Sequence, residues 1–153
     1  MSASAAQVIE RLRGSGLTLA VAESLTGGLL GAELVAVPGA SAVFRGGALT
    51  YATDSKASVL GVQEELLTAH GPVHPLVAVQ MADGARSLFG ADLALATTGV
   101  AGPGAADGHP AGTVHVACTG AGVPAQVRGY VLAGNRSAVR GAVVQLALAL
   151  LLD

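Results

Sequence analysis

The sequence predicts an α/β fold, a three-layer α/β/α sandwich built on a mixed sheet. Three observations carry that expectation. Apolar runs at 17–23, 47–51 and 92–97 alternate with segments of helical periodicity, as parallel strands with helical crossovers do. Two more strand-like runs, 112–119 and 125–132, follow one another through 120–124 as a hairpin would, which adds an antiparallel part. The composition is 52% hydrophobic, 12% charged and 3% aromatic, with 22 glycines, so the core must come from Ala, Val and Leu in closely approaching backbones. At 153 residues, 1–153 reads as a single domain able to bury most of its unfolded surface.

Taken in order, Ser4 and Gln7 have capping-box spacing, and Ala5, Val8, Ile9 and Leu12 give a first helix that runs to Gly14-Ser15-Gly16. The strand Leu17–Glu23 follows, then a helix from Thr26 to near Pro38-Gly39, with Ser41 placed to cap a short turn before Phe44. After the strand at 47–51, Thr53 or Asp54 is placed to cap a short helix carrying Lys56 and stopped by Gly61. Residues 63–69 make another, closed by His70-Gly71-Pro72, and Pro75 to Phe89 a longer one whose apolar side is Leu76, Val79, Met81, Ala82 and Ala85. The strand at 92–97 leads into 98–110, a Gly- and Pro-rich stretch; loops of that length inside a domain are usually functional. The hairpin comes next, and Asn135 caps a final helix with Val139, Val143, Leu146, Ala147 and Leu150 on one face.

Charge and composition exclude several classes of function. A net charge of −2 and eight scattered basic residues leave no basic stripe for nucleic acid. The amino end lacks a basic region followed by an apolar one, so a cytoplasmic location is expected. The apolar stretch 141–152 falls short of the ~20 residues that span a bilayer. It reads instead as a helix buried in the protein or shared with a second subunit, and a homo-oligomer, dimer or higher, is the expected state. Cys118 is the single cysteine, which excludes an internal disulfide and reads as a small buried apolar group. The histidines at 70, 74, 109 and 115 lack metal-ligand spacing, so no metal is expected, and neither a P-loop nor a dinucleotide fingerprint is present.

Chemistry concentrates at the ends of strands. Ala22-Glu-Ser-Leu-Thr-Gly-Gly28 puts Ser24 where a strand ends and a helix opens, the edge at which open α/β proteins hold ligands. Ser24 or Thr26 reads there either as a helix N-cap or as part of a site, with Ser24 as nucleophile; N–H groups near Gly27-Gly28 would suit a phosphate or an oxyanion. Lys56 is the only lysine beside seven arginines. A buried lysine can lose its proton and act as base for a serine, which arginine cannot, although a lone surface lysine would look the same in sequence. Tyr51 reads as a partner in the same site or as a core ring. Thr98 and Gly99 begin the Gly-Pro loop, whose N–H groups suit an anion or a carbonyl oxygen. Arg136, at the start of the last helix, reads as an anion ligand or a solvated surface charge, with Arg140 one turn on as the second choice.

Three blocks together, Ala22–Gly28, then Phe44-Arg-Gly-Gly-Ala-Leu-Thr-Tyr-Ala-Thr-Asp-Ser-Lys-Ala57 with Leu60-Gly-Val62, then Thr98-Gly-Val-Ala-Gly-Pro103 with Pro110-Ala-Gly-Thr-Val114, closely resemble the CinA carboxy-terminal domain family. Its enzymatic members are nicotinamide mononucleotide deamidases, PncC-type amidases of pyridine nucleotide salvage. The resemblance implies that Ser24 is the nucleophile and Lys56 its base, with Tyr51 and Thr98 in the same site and Arg136 on the substrate phosphate. It implies no metal or organic cofactor. The sequence departs from the family pattern at Leu25, usually Cys, at Thr53, usually Asn, and at His74-Pro75, usually Ser-Glu, where a capping Ser and an acidic residue are missing. Leu25 is expected to be tolerated, whereas Thr53, His74 and Pro75 favour the alternative, a non-catalytic nucleotide-binding or regulatory module linked to competence or DNA damage.

Overall fold

The computed structural model describes residues 3–153. Five strands, β1 (Leu19–Glu23), β2 (Phe44–Leu49), β3 (Leu93–Gly99), β4 (Thr113–Gly120) and β5 (Val123–Val131), form one sheet in the order β2-β1-β3-β4-β5. β2, β1 and β3 are parallel, while β3, β4 and β5 are antiparallel, giving the mixed sheet expected from the sequence. Because β2 and β3 lie on opposite sides of β1, the connections diverge at its carboxyl end. In open α/β sheets this is where a crevice forms.

Helices cover both faces. The helices α1 (Ala5–Ser15), α2 (Leu29–Val35) and α6 (Arg136–Leu152) pack on a face of Leu19, Val21, Leu95, Val114 and Val116. On the other side α3 (Thr53–Leu60), α4 (Glu64–His70) and α5 (Pro75–Phe89) cover Ala20, Ala22, Ala94, Ala96 and Ala117. Successive strand residues point to opposite faces, so the even-numbered alanines of β1 and β3 present a thin surface toward α5. Ser24 follows in that even register and Glu23 in the odd one. The serine therefore turns toward α3 and α5, the glutamate toward α2.

The Ser4 capping box and the Asn135 cap are present, with Asn135 Oδ1 accepting from Ala138 N at 2.9 Å. Elsewhere the boundaries move. β1 starts at Leu19 rather than Leu17, and β2 spans Phe44–Leu49 rather than 47–51, pairing with β1 from its first residue. α2 begins three residues after Thr26, because Gly28 at φ 104° turns the chain before the helix starts. It ends at Val35, and Ser41 lies inside a single 3₁₀ turn, Ala40–Ala42, instead of capping. α3 has Ala52 as its N-cap, so neither Thr53 nor Asp54 caps it. On α5 the buried side is Val77, Ala78, Met81, Ala82 and Ala85, with Leu76 53% exposed, and on α6 Val144 and Leu148 are buried where Leu146 is only half so.

Candidate active site

The carboxyl ends of β1, β2 and β3 open onto a cavity of about 310 Å³, lined by Ser24, Lys56, Tyr51, Thr98, Arg136 and much of the loop from Gly99 to Asp107. Ser24 is buried at its floor. Its N–H donates to Thr97 Oγ1 at 3.3 Å, and Thr97 Oγ1 in turn lies 2.9 Å from Thr26 Oγ1. From α6 the Arg140 guanidinium donates to the carbonyls of Leu25 (2.8 Å) and Thr26 (3.2 Å). The turn that carries the serine is thus tied both to β3 and to α6.

Lys56 projects from the first turn of α3 and is only 1% exposed. Its Nζ lies 3.0 Å from Ser24 Oγ, 2.6 Å from Thr50 O and 3.3 Å from Tyr51 O. Burial lowers its pKa from 10.5 to about 8, while the Asp107 carboxylate opposes that shift. Carbonyl oxygens only accept. In the neutral amine Thr50 and Tyr51 take both N–H groups, and the lone pair is left for the Ser24 hydroxyl. This geometry suits transfer of the hydroxyl proton to the neutral amine.

The remaining expected residues divide between the cavity and its supports. Tyr51 is 66% exposed, so it is not a core ring; its hydroxyl accepts from Arg136 Nη2 at 3.2 Å and makes no bond to Ser24 or Lys56. Arg136 also donates to Gly102 O at 2.7 Å, joining the start of α6 to the Gly-Pro loop. Thr98 lines the cavity, but its hydroxyl donates to Pro72 O at 2.7 Å and holds the segment before α5. Gly99 lies beside it on the wall.

Three expectations are corrected here. Ser24 is not an N-cap, because its hydroxyl faces Lys56, and Thr26 is fully buried against Thr97 rather than capping α2 or meeting a ligand. Gly27 and Gly28 do not offer their N–H groups to the cavity: Gly27 N donates to Ser24 O at 3.1 Å and Gly28 N to Glu23 Oε1 at 3.2 Å. Arg140 is committed to Leu25 and Thr26 and does not line the cavity, so it drops out as an anion ligand.

Glu23 is the support that sequence reasoning missed. Its buried carboxylate accepts from the N–H groups of Gly28, Leu30 (2.9 Å) and Gly31 (3.0 Å), filling the N-terminus of α2 that would otherwise draw an anion. An acid at the end of a strand, directly before a glycine-opened helix, is the signal that points to it. Asp107, also missed, is on the cavity wall. His74 supplies the cap that a serine would have given: its Nδ1 accepts from Leu76 N at 3.1 Å, and its ring stacks on His70 with centroids 4.5 Å apart. Burial and the neighbouring histidines lower the His74 pKa. Among the described residues no group of three or more His, Cys, Asp or Glu side chains is arranged to hold a metal ion. Cys118 is half-buried in β4, and burial raises its thiol to about 11. No described helix is long and apolar enough to cross a membrane.

Comparison with known proteins gives the family and the fold. The family model of the CinA C-terminal domain matches residues 1–153. A CinA-like protein of Frankia casuarinae is 58% identical over 103 residues, covering 67% of this chain and 24% of its own length. A CinA-like protein of Geobacter metallireducens is 49% identical over 135 residues, or 87% of this chain and 32% of the relative. The chain thus spans about a quarter to a third of these relatives. Among solved structures, the competence/damage inducible protein CihA from Agrobacterium tumefaciens superposes with a TM-score of 0.92 at 38% identity, over 97% of this chain and 91% of that one. A competence-damaged protein (CinA) superfamily protein from Escherichia coli does so with a TM-score of 0.92 at 35% identity, over 97% and 86%.

Proposed function

Because this chain belongs to the CinA C-terminal domain family and carries a serine and a buried lysine at one cavity, we propose that it is a nicotinamide-nucleotide amidase. It hydrolyses the carboxamide of nicotinamide mononucleotide to give nicotinic acid mononucleotide and ammonia. The observation that carries this reading is the 3.0 Å contact between Lys56 Nζ and Ser24 Oγ, made by an amine whose pKa is lowered to about 8.

In the proposed reaction neutral Lys56 takes the Ser24 proton as Oγ attacks the carboxamide carbon. The C=O π electrons move to oxygen, and the N–H groups of Leu25 and Gly99, both on cavity-lining residues, are our assignment for holding that oxyanion. Collapse breaks the C–N bond, and Lys56 returns the proton to the departing nitrogen, releasing ammonia. Water, deprotonated by the same amine, then cleaves the acyl ester and leaves the carboxylate. Arg136 is assigned to the phosphate: two of its five N–H groups are committed to Gly102 and Tyr51, and the others are available to oxygens in the cavity. No step calls for a metal or an organic cofactor.

Ammonia release measured across a panel of pyridine nucleotides, with and without chelator, tests the assignment. Release from nicotinamide mononucleotide that survives chelator is the expected result. Nucleotide binding by calorimetry with no ammonia from any member would replace the enzyme with a nucleotide-binding or regulatory module.

A further inference from the structure

The cavity has a charge layout that the reaction alone does not require. Of the residues lining it, Lys56 and Arg136 are the cations and Asp107 is the one carboxylate. Asp107 sits at the tip of a two-residue hairpin inside the Gly-Pro loop: Ala106 N donates to His109 O at 3.0 Å and His109 N to Ala106 O at 2.9 Å. Both central residues have positive φ, 53° at Asp107 and 80° at Gly108, as a type I′ turn needs. Glycine or asparagine would make that turn at least as readily, and neither would bring a charge. The ion pairs among the described residues are Arg86–Asp83 and Arg128–Asp153, so this carboxylate is not spent on another side chain. Its field nevertheless reaches the floor of the cavity, where it opposes the effect of burial on Lys56. An anion at this wall weakens a ligand carrying only negative charge and favours one with a positive centre beside its phosphate.

We propose that Asp107 is a specificity-determining residue: its carboxylate, held at the cavity wall by the 106–109 turn, selects substrates whose carboxamide-bearing ring is an N-substituted pyridinium cation over the same ring uncharged. This rests on the amidase reading of the site and adds the ring's charge to what is recognised. The carboxylate faces the ring while Arg136 faces the phosphate, so the two charges orient the carboxamide toward Ser24.

The test compares nicotinamide mononucleotide with its reduced dihydropyridine form, which keeps the phosphate, ribose and carboxamide but has no ring charge. Equilibrium binding of both is measured by calorimetry in a Ser24→Ala background, with and without Asp107→Asn; asparagine tolerates the left-handed turn, so the loop is retained. The expected result is a preference for the cationic ring that shrinks by about fivefold or more in Asp107→Asn, with the reduced form bound at least as tightly once the carboxylate is gone. An unchanged preference, or an equal loss for both ligands, overturns the proposal and leaves Asp107 as a turn residue or a modulator of Lys56. Failure of nicotinamide mononucleotide itself to bind before Asp107 is changed overturns the amidase reading, and this inference with it.

Discussion

A lysine beside two carbonyls and a hydroxyl has one arrangement in which it can serve as a base. With Thr50 O and Tyr51 O accepting, only the neutral amine has a lone pair to offer Ser24, and burial brings that form within reach by lowering the pKa to about 8. The amidase rate in kcat/KM should therefore rise with pH and level off above about 8, as followed by ammonia release. Lys56→Arg, which keeps the charge but cannot shed the proton, should lose about two orders of magnitude or more, whereas a wild-type-like rate would remove the base assignment. The sign for stability follows from the same shift. The folded state favours the neutral amine, so stability should climb as pH rises from about 8 toward the unfolded value of 10.5, and Lys56→Met should lack that slope in denaturant titrations. Arg136→Ala should raise KM for the mononucleotide roughly tenfold and leave the nucleoside, which lacks the phosphate, nearly unchanged. Equal effects on both would make Arg136 a clamp on Gly102 and Tyr51 alone. Lys56 was legible as the one lysine in an arginine-rich chain, and Ser24 as a hydroxyl at the end of a strand. Glu23 and Arg140 were not, because their roles depend on which backbone groups the fold brings to them, nor was Asp107, which only the folded Gly-Pro loop brings to the cavity; single residues carry no period to read.

At the scale of elements, the site depends on how closely α3 approaches α5. A Cβ added at Gly84 would lie 2.0 Å from Leu60 O, at the end of the helix that carries Lys56. By propensity alone, Gly84→Ala in a helix interior would gain about 1 kcal/mol. The clash is with backbone, which cannot swing aside, and overpacking costs about 1–3 kcal/mol. A lower thermal midpoint is therefore expected, together with reduced activity as α3 and its lysine are pushed outward; a higher midpoint with full activity would show that α3 yields freely. Long periodic segments such as α5 were legible to their end residues. The start of α2 was misread because the hydroxyl-Gly-Gly pattern matches a side-chain cap, while the actual cap is a carboxylate from the preceding strand. The start of β2 shifted because Arg45 and Gly46 have little strand signal of their own, and pairing with β1 defines them.

For the whole molecule, the sheet order decides where chemistry can occur. Placing β1 between parallel β2 and β3 brings Ser24, Tyr51 and Thr98 to one edge, and the short helix after β2 delivers Lys56 over the same floor. That convergence was foreseeable from strand ends alone, since parallel strands share a carboxyl edge; the antiparallel β4 and β5 widen the sheet and hold the Gly-Pro loop at its foot. In the proposed reaction this edge is a covalent catalyst. The most direct test is Ser24→Ala, with nicotinamide mononucleotide binding measured by calorimetry beside a coupled ammonia assay. Near-normal affinity, with ammonia release reduced by several orders of magnitude, is the predicted result. Ammonia release that persists at the wild-type rate without the Ser24 hydroxyl would contradict it.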